Sequence, residues 1–291
     1  MFTLPAKKSL GQHFLIDPSY HERIVKAAAI EPGDCTIEIG PGTGLLTKHL
    51  LGTPLEKLIA FELDARAIPE LQEMFQDQQS RFEVRQEDFL KTNLETISTE
   101  CGKKLRVVGN IPYYITSPIL FKLIDERRAV LDAVMLVQQE VAERLVAKPG
   151  TKAYGIPTVL ANFFGEVKLL FRVPRGAFRP VPKVDSAVVR IDFSRDFFTR
   201  SQSPIPPGFD EVQFRNYVRS LFAMRRKMVR NNLKPFISAS EIQGLDQTER
   251  SKYLTMRPEQ LDISQLLHLF SALPKHRYDN GFRSHASPEP E

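Results

Sequence analysis

Four consecutive residues, Asn110-Ile111-Pro112-Tyr113, combine a side-chain amide, a main-chain carbonyl placed before a proline, and an aromatic ring. That set suits the task of making a flat exocyclic amine react. The lone pair of such a nitrogen is delocalised into its ring, which makes the amine a poor nucleophile. The Asn110 amide oxygen and the carbonyl before Pro112 can accept its two N–H bonds. This favours a nitrogen whose lone pair points at an electrophile, and it stabilises the charge that develops as the bond forms. Pro112 fixes the backbone so that the carbonyl faces the site. Tyr113 offers a face on which a base withdrawn from its helix can stack. A second aromatic, Phe178, lies on the proline-stiffened segment Phe178–Ser186 and is expected to sandwich the ring from the opposite side. Taken alone, Asn-x-Pro-Tyr is also an ordinary turn, and Phe178 an ordinary core side chain.

A second group of motifs supplies the electrophile. Glu38-Ile39-Gly40-Pro41-Gly42-Thr43-Gly44 follows a strand and opens a helix. Glycines at 40, 42 and 44 let the chain turn sharply and let a ligand lie against N–H groups at the helix start. A dinucleotide fingerprint would need glycine where Leu45 stands. Glu38 suits a cofactor with a cationic amino acid end better than a pyrophosphate. Glu62, about 20 residues after the glycines, is placed to accept two ribose hydroxyls. Asp88, after the next strand, is placed to accept an adenine amino group, although alone it reads equally as a helix cap. Three strand ends aimed at one crevice fit a nucleoside joined to a cationic amino acid.

Such convergence requires alternating strands and helices. Short runs rich in Val, Ile and Phe predict strands at Thr36–Ile39, Leu58–Phe61, Phe82–Val84, Arg106–Val108 and Ala133–Val137. Helical spacing falls at Leu45–Leu51, Ala65–Phe75, Pro118–Ile124 and Glu140–Val146. The alternation predicts an α/β Rossmann-like sheet, parallel and covered on both faces. Val167–Val173 and Ala187–Phe193 predict a closing antiparallel hairpin. Ser201–Gly208, rich in proline, reads as a linker to a small α-helical domain with helices at Glu211–Phe222, Lys227–Phe236 and Pro258–Leu273. The expected organisation is a catalytic domain over 1–200, a small α-helical domain over 209–275 and a disordered tail over 276–291.

Among 291 residues the net charge is +5, a mild excess compatible with a polyanionic partner. Cys35 and Cys101, the only cysteines, stand far apart without metal-ligand spacing. They offer neither a disulfide framework nor a metal site, and a reducing compartment is the natural setting. No secretory apolar segment opens the sequence, and no run approaches the roughly 20 apolar residues that span a bilayer. The expectation is a cytoplasmic monomer without metal or membrane attachment.

With these motifs assembled, the sequence resembles the small-subunit ribosomal RNA adenine dimethyltransferases (the KsgA family) as far as Leu273. The resemblance rests on Gly11-Gln12-His13-Phe14-Leu15, the glycine loop, Asn110–Tyr113, Phe178–Ser186 and Arg225–Leu233. It implies S-adenosyl-L-methionine as cofactor, with contacts from His13, Leu15, Gly40, Glu62, Asp88 and Asn110. It also implies dimethylation of the N6 amino groups of two adjacent adenosines near the 3′ end of small-subunit (16S) ribosomal RNA, and a role in biogenesis of the small ribosomal subunit. The family often carries asparagine at the place of His13, and commonly asparagine at the place of Tyr114.

Basic residues support an RNA partner. Arg219–Lys234 holds six of them, Arg225, Arg226, Lys227 and Arg230 included, and no acid. Arg179 and Lys183 lie beside Phe178. Such residues can hold a phosphate backbone, although a charge run is more often a solvated face. Three rival readings share parts of the pattern: a large-subunit methyltransferase of the antibiotic-resistance type, a non-catalytic RNA-binding assembly factor, and a nicotinamide oxidoreductase. Gly11 and the Lys183–Ser186 ending speak against the first. Intact Glu62, Asp88 and Asn110 speak against the second, and Leu45 against the third.

Overall fold

The computed structural model describes residues 5–7, 11–234 and 237–273; the expected tail lies outside them. Contacts divide the chain into two compact units. One falls within Met1–Val146 and Phe164–Arg200, the other within Ala147–Phe163 and Ser201–Glu291.

Among the described residues the first unit is built on nine strands: β1 (Phe14–Leu15), β2 (Cys35–Ile39), β3 (Lys57–Phe61), β4 (Phe82–Arg85), β5 (Leu105–Asn110), β6 (Val130–Gln138), β7 (Glu166–Val173), β8 (Phe178–Arg179) and β9 (Ser186–Asp192). Seven form one sheet in the order β4-β3-β2-β5-β6-β9-β7. β2 to β6 run parallel, and β9 is antiparallel to both neighbours. Every residue of β2 is buried, as a central strand covered on both faces must be. The strands run past the expected bounds because ladder bonds recruit polar residues such as Lys57, Arg85 and Asn110, which local propensity does not assign to strands. The strand order reverses between β2 and β5, and this opens a crevice at their C-terminal ends.

Six helices flank this sheet: α1 (Pro18–Ala28), α2 (Leu45–Leu51), α3 (Ala67–Met74), α4 (Leu94–Glu100), α5 (Thr116–Asp125) and α6 (Gln139–Leu145). The sequence reading omits α1 and α4, yet both have local start signals. Asp17 accepts the Ser19 N–H with Pro18 in the first helical position, and Asn93 accepts the Thr96 N–H. α3 starts two residues later than expected, because Asp64 and Arg66 close a turn in front of it.

Two further differences come from tertiary contacts. Between β7 and β9, the short β8 leaves the hairpin and pairs antiparallel with β1, Leu15 opposite Phe178. Cys35 and Cys101 are joined in a disulfide across 66 residues of sequence. Cys35 begins β2, and Cys101 ends α4 just before β5, the strand beside β2. Sequence distance had hidden that proximity.

In the second unit, Phe209, Phe214, Tyr217 and Phe270 pack together, with Phe214–Phe270 and Tyr217–Phe270 ring centroids each 5.3 Å apart. Among the described residues its helices are Ile156–Phe164, Glu211–Ala223, Val229–Leu233, Ala239–Asp246, Ser251–Leu254 and Ile263–Phe270. The expected helix over Lys227–Phe236 is thus shorter, and its last two residues lie outside those described. The expected Pro258–Leu273 helix begins only at Ile263. Asp262 and Gln265 form a capping box there, and a short turn precedes it at Pro258–Gln260. Among the described residues, no helix is long and apolar enough to cross a membrane.

Candidate active site

A cleft lies at the ends of β2, β3, β4 and β5. Its wall gathers residues distant in sequence: His13, Gly40, Gly42, Glu62, Asp88, Asn110, Pro112 and Tyr113 all line it.

Gly40, Gly42 and Gly44 all have positive φ. At Gly42 the absent side chain has a further consequence: a Cβ there would stand 2.8 Å from the Phe14 ring. Phe14 can therefore lie across the glycine turn as part of the cleft wall. The three glycine N–H groups point inward. Gly40 donates to the Phe61 carbonyl at 2.9 Å, Gly42 to Glu62 Oε2 at 3.0 Å and Gly44 to the Pro41 carbonyl at 2.9 Å. The glycines' own N–H groups are thus taken up within the fold. The glycines supply room and a turn, and Gly44 sits behind the wall as the cap residue of α2.

Glu62 is held rigidly. Its Oε2 takes the Gly42 N–H, and its Oε1 takes the Asp64 N–H at 2.8 Å. Burial pushes its carboxyl above the usual range, partly offset by those N–H groups. Each oxygen retains a lone pair for a further donor. Asp88 caps the turn Phe89–Lys91 by accepting the Leu90 N–H on Oδ1 at 3.0 Å, while Oδ2 stays open. The cap role and an open acceptor thus coexist in one residue.

Glu38 is 1% exposed and stands behind the glycine turn, not on the wall. Its carboxyl oxygens and the neighbouring Thr47 hydroxyl are close enough to interact but form no well-aligned hydrogen bond. Burial pushes the Glu38 carboxyl up to about 8; the Thr47 hydroxyl opposes the shift and the Glu62 charge reinforces it. Leu15 is also behind the wall, in the apolar core.

At the end of β5, Asn110 Nδ2 donates to the His13 carbonyl at 2.9 Å. A carbonyl only accepts, so the amide orientation is fixed and Oδ1 is left for the cleft. Next to it, the Ile111 N–H is bonded to the Leu136 carbonyl at 3.0 Å, while the Ile111 carbonyl, ahead of Pro112, takes no donor among the described residues. The Tyr113 hydroxyl is 2.8 Å from Ser186 Oγ, and its ring stacks on His13 with centroids 5.7 Å apart. His13 is anchored in turn, with Nδ1 2.8 Å from the Pro180 carbonyl.

Phe178 is not part of this constellation. It is fully buried in the apolar core, where its pairing opposite Leu15 holds it. The expected sandwich is therefore corrected: Tyr113 faces the cleft without it. Sequence reasoning also missed Gln12 and Phe14 as wall residues. The signal was present, since both lie inside the Gly11–Leu15 motif.

Among the expected RNA contacts, Arg179 and Lys183 are exposed, although Arg179 turns back to donate to the Phe178 carbonyl at 2.9 Å. Arg226 and Lys227 are exposed without an acidic partner among the described residues. Arg225 and Arg230 are engaged with acidic residues. Arg225 holds Glu259 through two hydrogen bonds and also donates to the Lys152 and Tyr154 carbonyls. Arg230 pairs with Asp246. No cluster of His, Cys, Asp or Glu suited to a metal occurs among the described residues.

The parallel sheet with its antiparallel β9 and a cleft at the reversed strand ends defines an α/β methyltransferase of the S-adenosylmethionine-dependent, Rossmann-like kind. Residues 4–273 match the family described as ribosomal RNA adenine dimethylase, and the chain belongs to that family. A relative from Chlorobaculum parvum, named ribosomal RNA small subunit methyltransferase A, is 41% identical over 93% of this chain and 90% of its own. A protein of the same name from Pseudomonas aeruginosa is 39% identical over 92% of this chain and 94% of its own. The crystal structure of a dimethyladenosine transferase from Plasmodium falciparum superposes with a TM-score of 0.72 at 28% identity, covering 88% of this chain and 96% of that one. The 23S rRNA methyltransferase ErmE superposes with a TM-score of 0.66 at 26% identity, covering 89% of this chain and 99% of that one.

Proposed function

We propose that this chain transfers methyl groups from S-adenosyl-L-methionine to the N6 amino groups of two adjacent adenosines near the 3′ end of small-subunit ribosomal RNA. The observation that carries this is the fixed Asn110 amide, whose free Oδ1 stands beside the unpaired Ile111 carbonyl and the anchored Tyr113 ring.

The cofactor suits the residues present. Glu62 keeps lone pairs for a ribose diol, Asp88 keeps Oδ2 for an adenine amine, and Phe61, Leu63 and Phe89 add apolar wall between them. When bound, S-adenosylmethionine supplies an electrophilic methyl on a sulfonium. Tyr113 stacks the target adenine, which must leave its helix to reach the cleft. Asn110 Oδ1 and the Ile111 carbonyl accept the two N–H bonds, and both are in place before charge develops. No side chain need act as a strong base, because the nitrogen becomes acidic only once it has been alkylated. Arg179, Lys183, Arg226 and Lys227 are the candidates for phosphate contact.

The test uses unmethylated small ribosomal subunits, large-subunit RNA and isotope-labelled cofactor, followed by nuclease digestion and mass spectrometry. Dimethyladenosine confined to the small subunit is expected. Product on large-subunit RNA alone would assign the chain to the activity of ErmE, and no product on either would remove the catalytic reading.

A further inference from the structure

Tyr113 and Tyr114 occupy one short 3-10 turn, Tyr113–Ile115. With three residues per turn, neighbouring side chains leave such a segment about 120° apart. The two rings have accordingly separate fates. Tyr113 is half-buried and tied by its hydroxyl to Ser186. Tyr114 also lines the cleft but is 57% exposed, and no described side chain bonds its hydroxyl.

Exposure of one aromatic ring is commonplace; support for it is not. The edge of the Tyr114 ring rests on Gly11, where a Cβ would stand 3.2 Å from Cδ1 and 3.4 Å from Cε1. Gly11 has φ +57°, a conformation that side chains disfavour. The ring thus takes up space that a side chain at position 11 would fill, while much of it remains open to solvent, as a stacking platform requires.

A polynucleotide strand that delivers one base to Tyr113 must carry the next base past this rim. Withdrawing a base also leaves a neighbour with one unstacked face, at a cost that a protein ring can offset. We propose that Tyr114 is a positioning residue for the RNA, stacking the base adjacent to the target adenine. This rests on the methyltransferase reading above. Where the target has an adenosine neighbour, Tyr114 holds that second adenine at the lip of the cleft while the first reacts against Tyr113. Because stacking uses the ring face, the hydroxyl is dispensable.

The experiment compares wild type, Tyr114→Phe and Tyr114→Ala on unmethylated small ribosomal subunits, with cofactor affinity measured separately by calorimetry. For Tyr114→Ala the expected result is a rise in KM for subunits of about ten- to a hundredfold, the loss of one base stack. Its kcat at saturating subunits should remain close to wild type, as should cofactor affinity, and Tyr114→Phe should restore KM. An unchanged KM in Tyr114→Ala would overturn the proposal. So would a Tyr114→Phe variant as poor as the alanine, or a matching loss of cofactor affinity, which would make Tyr114 part of the cofactor wall. Failure of the wild-type enzyme to modify small subunits would instead overturn the function on which the proposal rests.

Discussion

The Asn110 side-chain amide donates to the His13 main-chain carbonyl across 97 residues of sequence. This single bond decides which atom of the amide the cleft receives. Asn110→Ala should lower kcat about a hundred- to a thousandfold, the usual cost of removing one preorganised group at a reacting centre. RNA binding should persist. Asn110→Asp should do no better, since a carboxylate has no N–H for the His13 carbonyl. Single-turnover methylation with a parallel filter-binding measurement checks both; near-normal turnover in either variant would remove Asn110 from the mechanism.

Tyr113 combines a stacking face with an anchor. Tyr113→Phe loses only the bond to Ser186, worth about 1 kcal/mol of stability, and should keep most of its turnover. Tyr113→Ala should lose about ten- to a hundredfold in kcat/KM. Equal activity of the two variants would show that the ring face is not used.

Glu38 makes the ligand-free enzyme sensitive to pH. Its carboxyl titrates near 8 when folded, against 4.5 without the fold. Between those values the folded chain holds a proton that the unfolded chain has released. Stability therefore falls as pH rises through that window and levels off above it. The raised Glu62 carboxyl acts in the same sense. Glu38→Gln, uncharged at every pH, should flatten the decline in Tm. Parallel Tm profiles for the two proteins would mean that Glu38 is ionised in the fold throughout.

Arg225 and Arg226 are neighbours with different expected phenotypes. Arg225→Ala leaves Glu259 unpaired and should cost roughly 2 kcal/mol of stability. Charge reversal at Arg226 and Lys227 should leave Tm unchanged and weaken RNA binding. It should also reduce the slope of log affinity against log salt by about 1.4 to 1.8, as for two lost phosphate contacts. Thermal melts with salt titrations separate the two cases, and an unaltered slope would make that surface merely solvated.

The sheet was legible in the sequence because parallel strands, covered on both faces, appear as apolar runs such as Leu58 to Phe61 or Val134 to Val137. The glycine turn, Glu62, Asp88 and Asn110 were legible because each stands at or just after the end of an expected strand. Phe178 was not, because an aromatic on a proline-rich loop has the same local signature whether it stacks a base or fills a core. Only its partner Leu15, remote in sequence, settles that. The same limit hid the Cys35–Cys101 bond and the inward commitment of Arg225, whose acid lies 34 residues away.

The pairing of β1 with β8 also constrains the order in which the cleft can be completed. Phe14 and His13 emerge early in synthesis, yet the strand and the carbonyl that seat them are Phe178–Arg179 and Pro180, up to 167 residues later. Closing a loop of that length carries an entropic cost that only the assembled sheet offsets. The segment that orients Asn110 is therefore among the last to dock. A nascent chain shorter than about residue 180 would lack a seated cleft wall, so competence for chemistry arrives only when the first unit is whole.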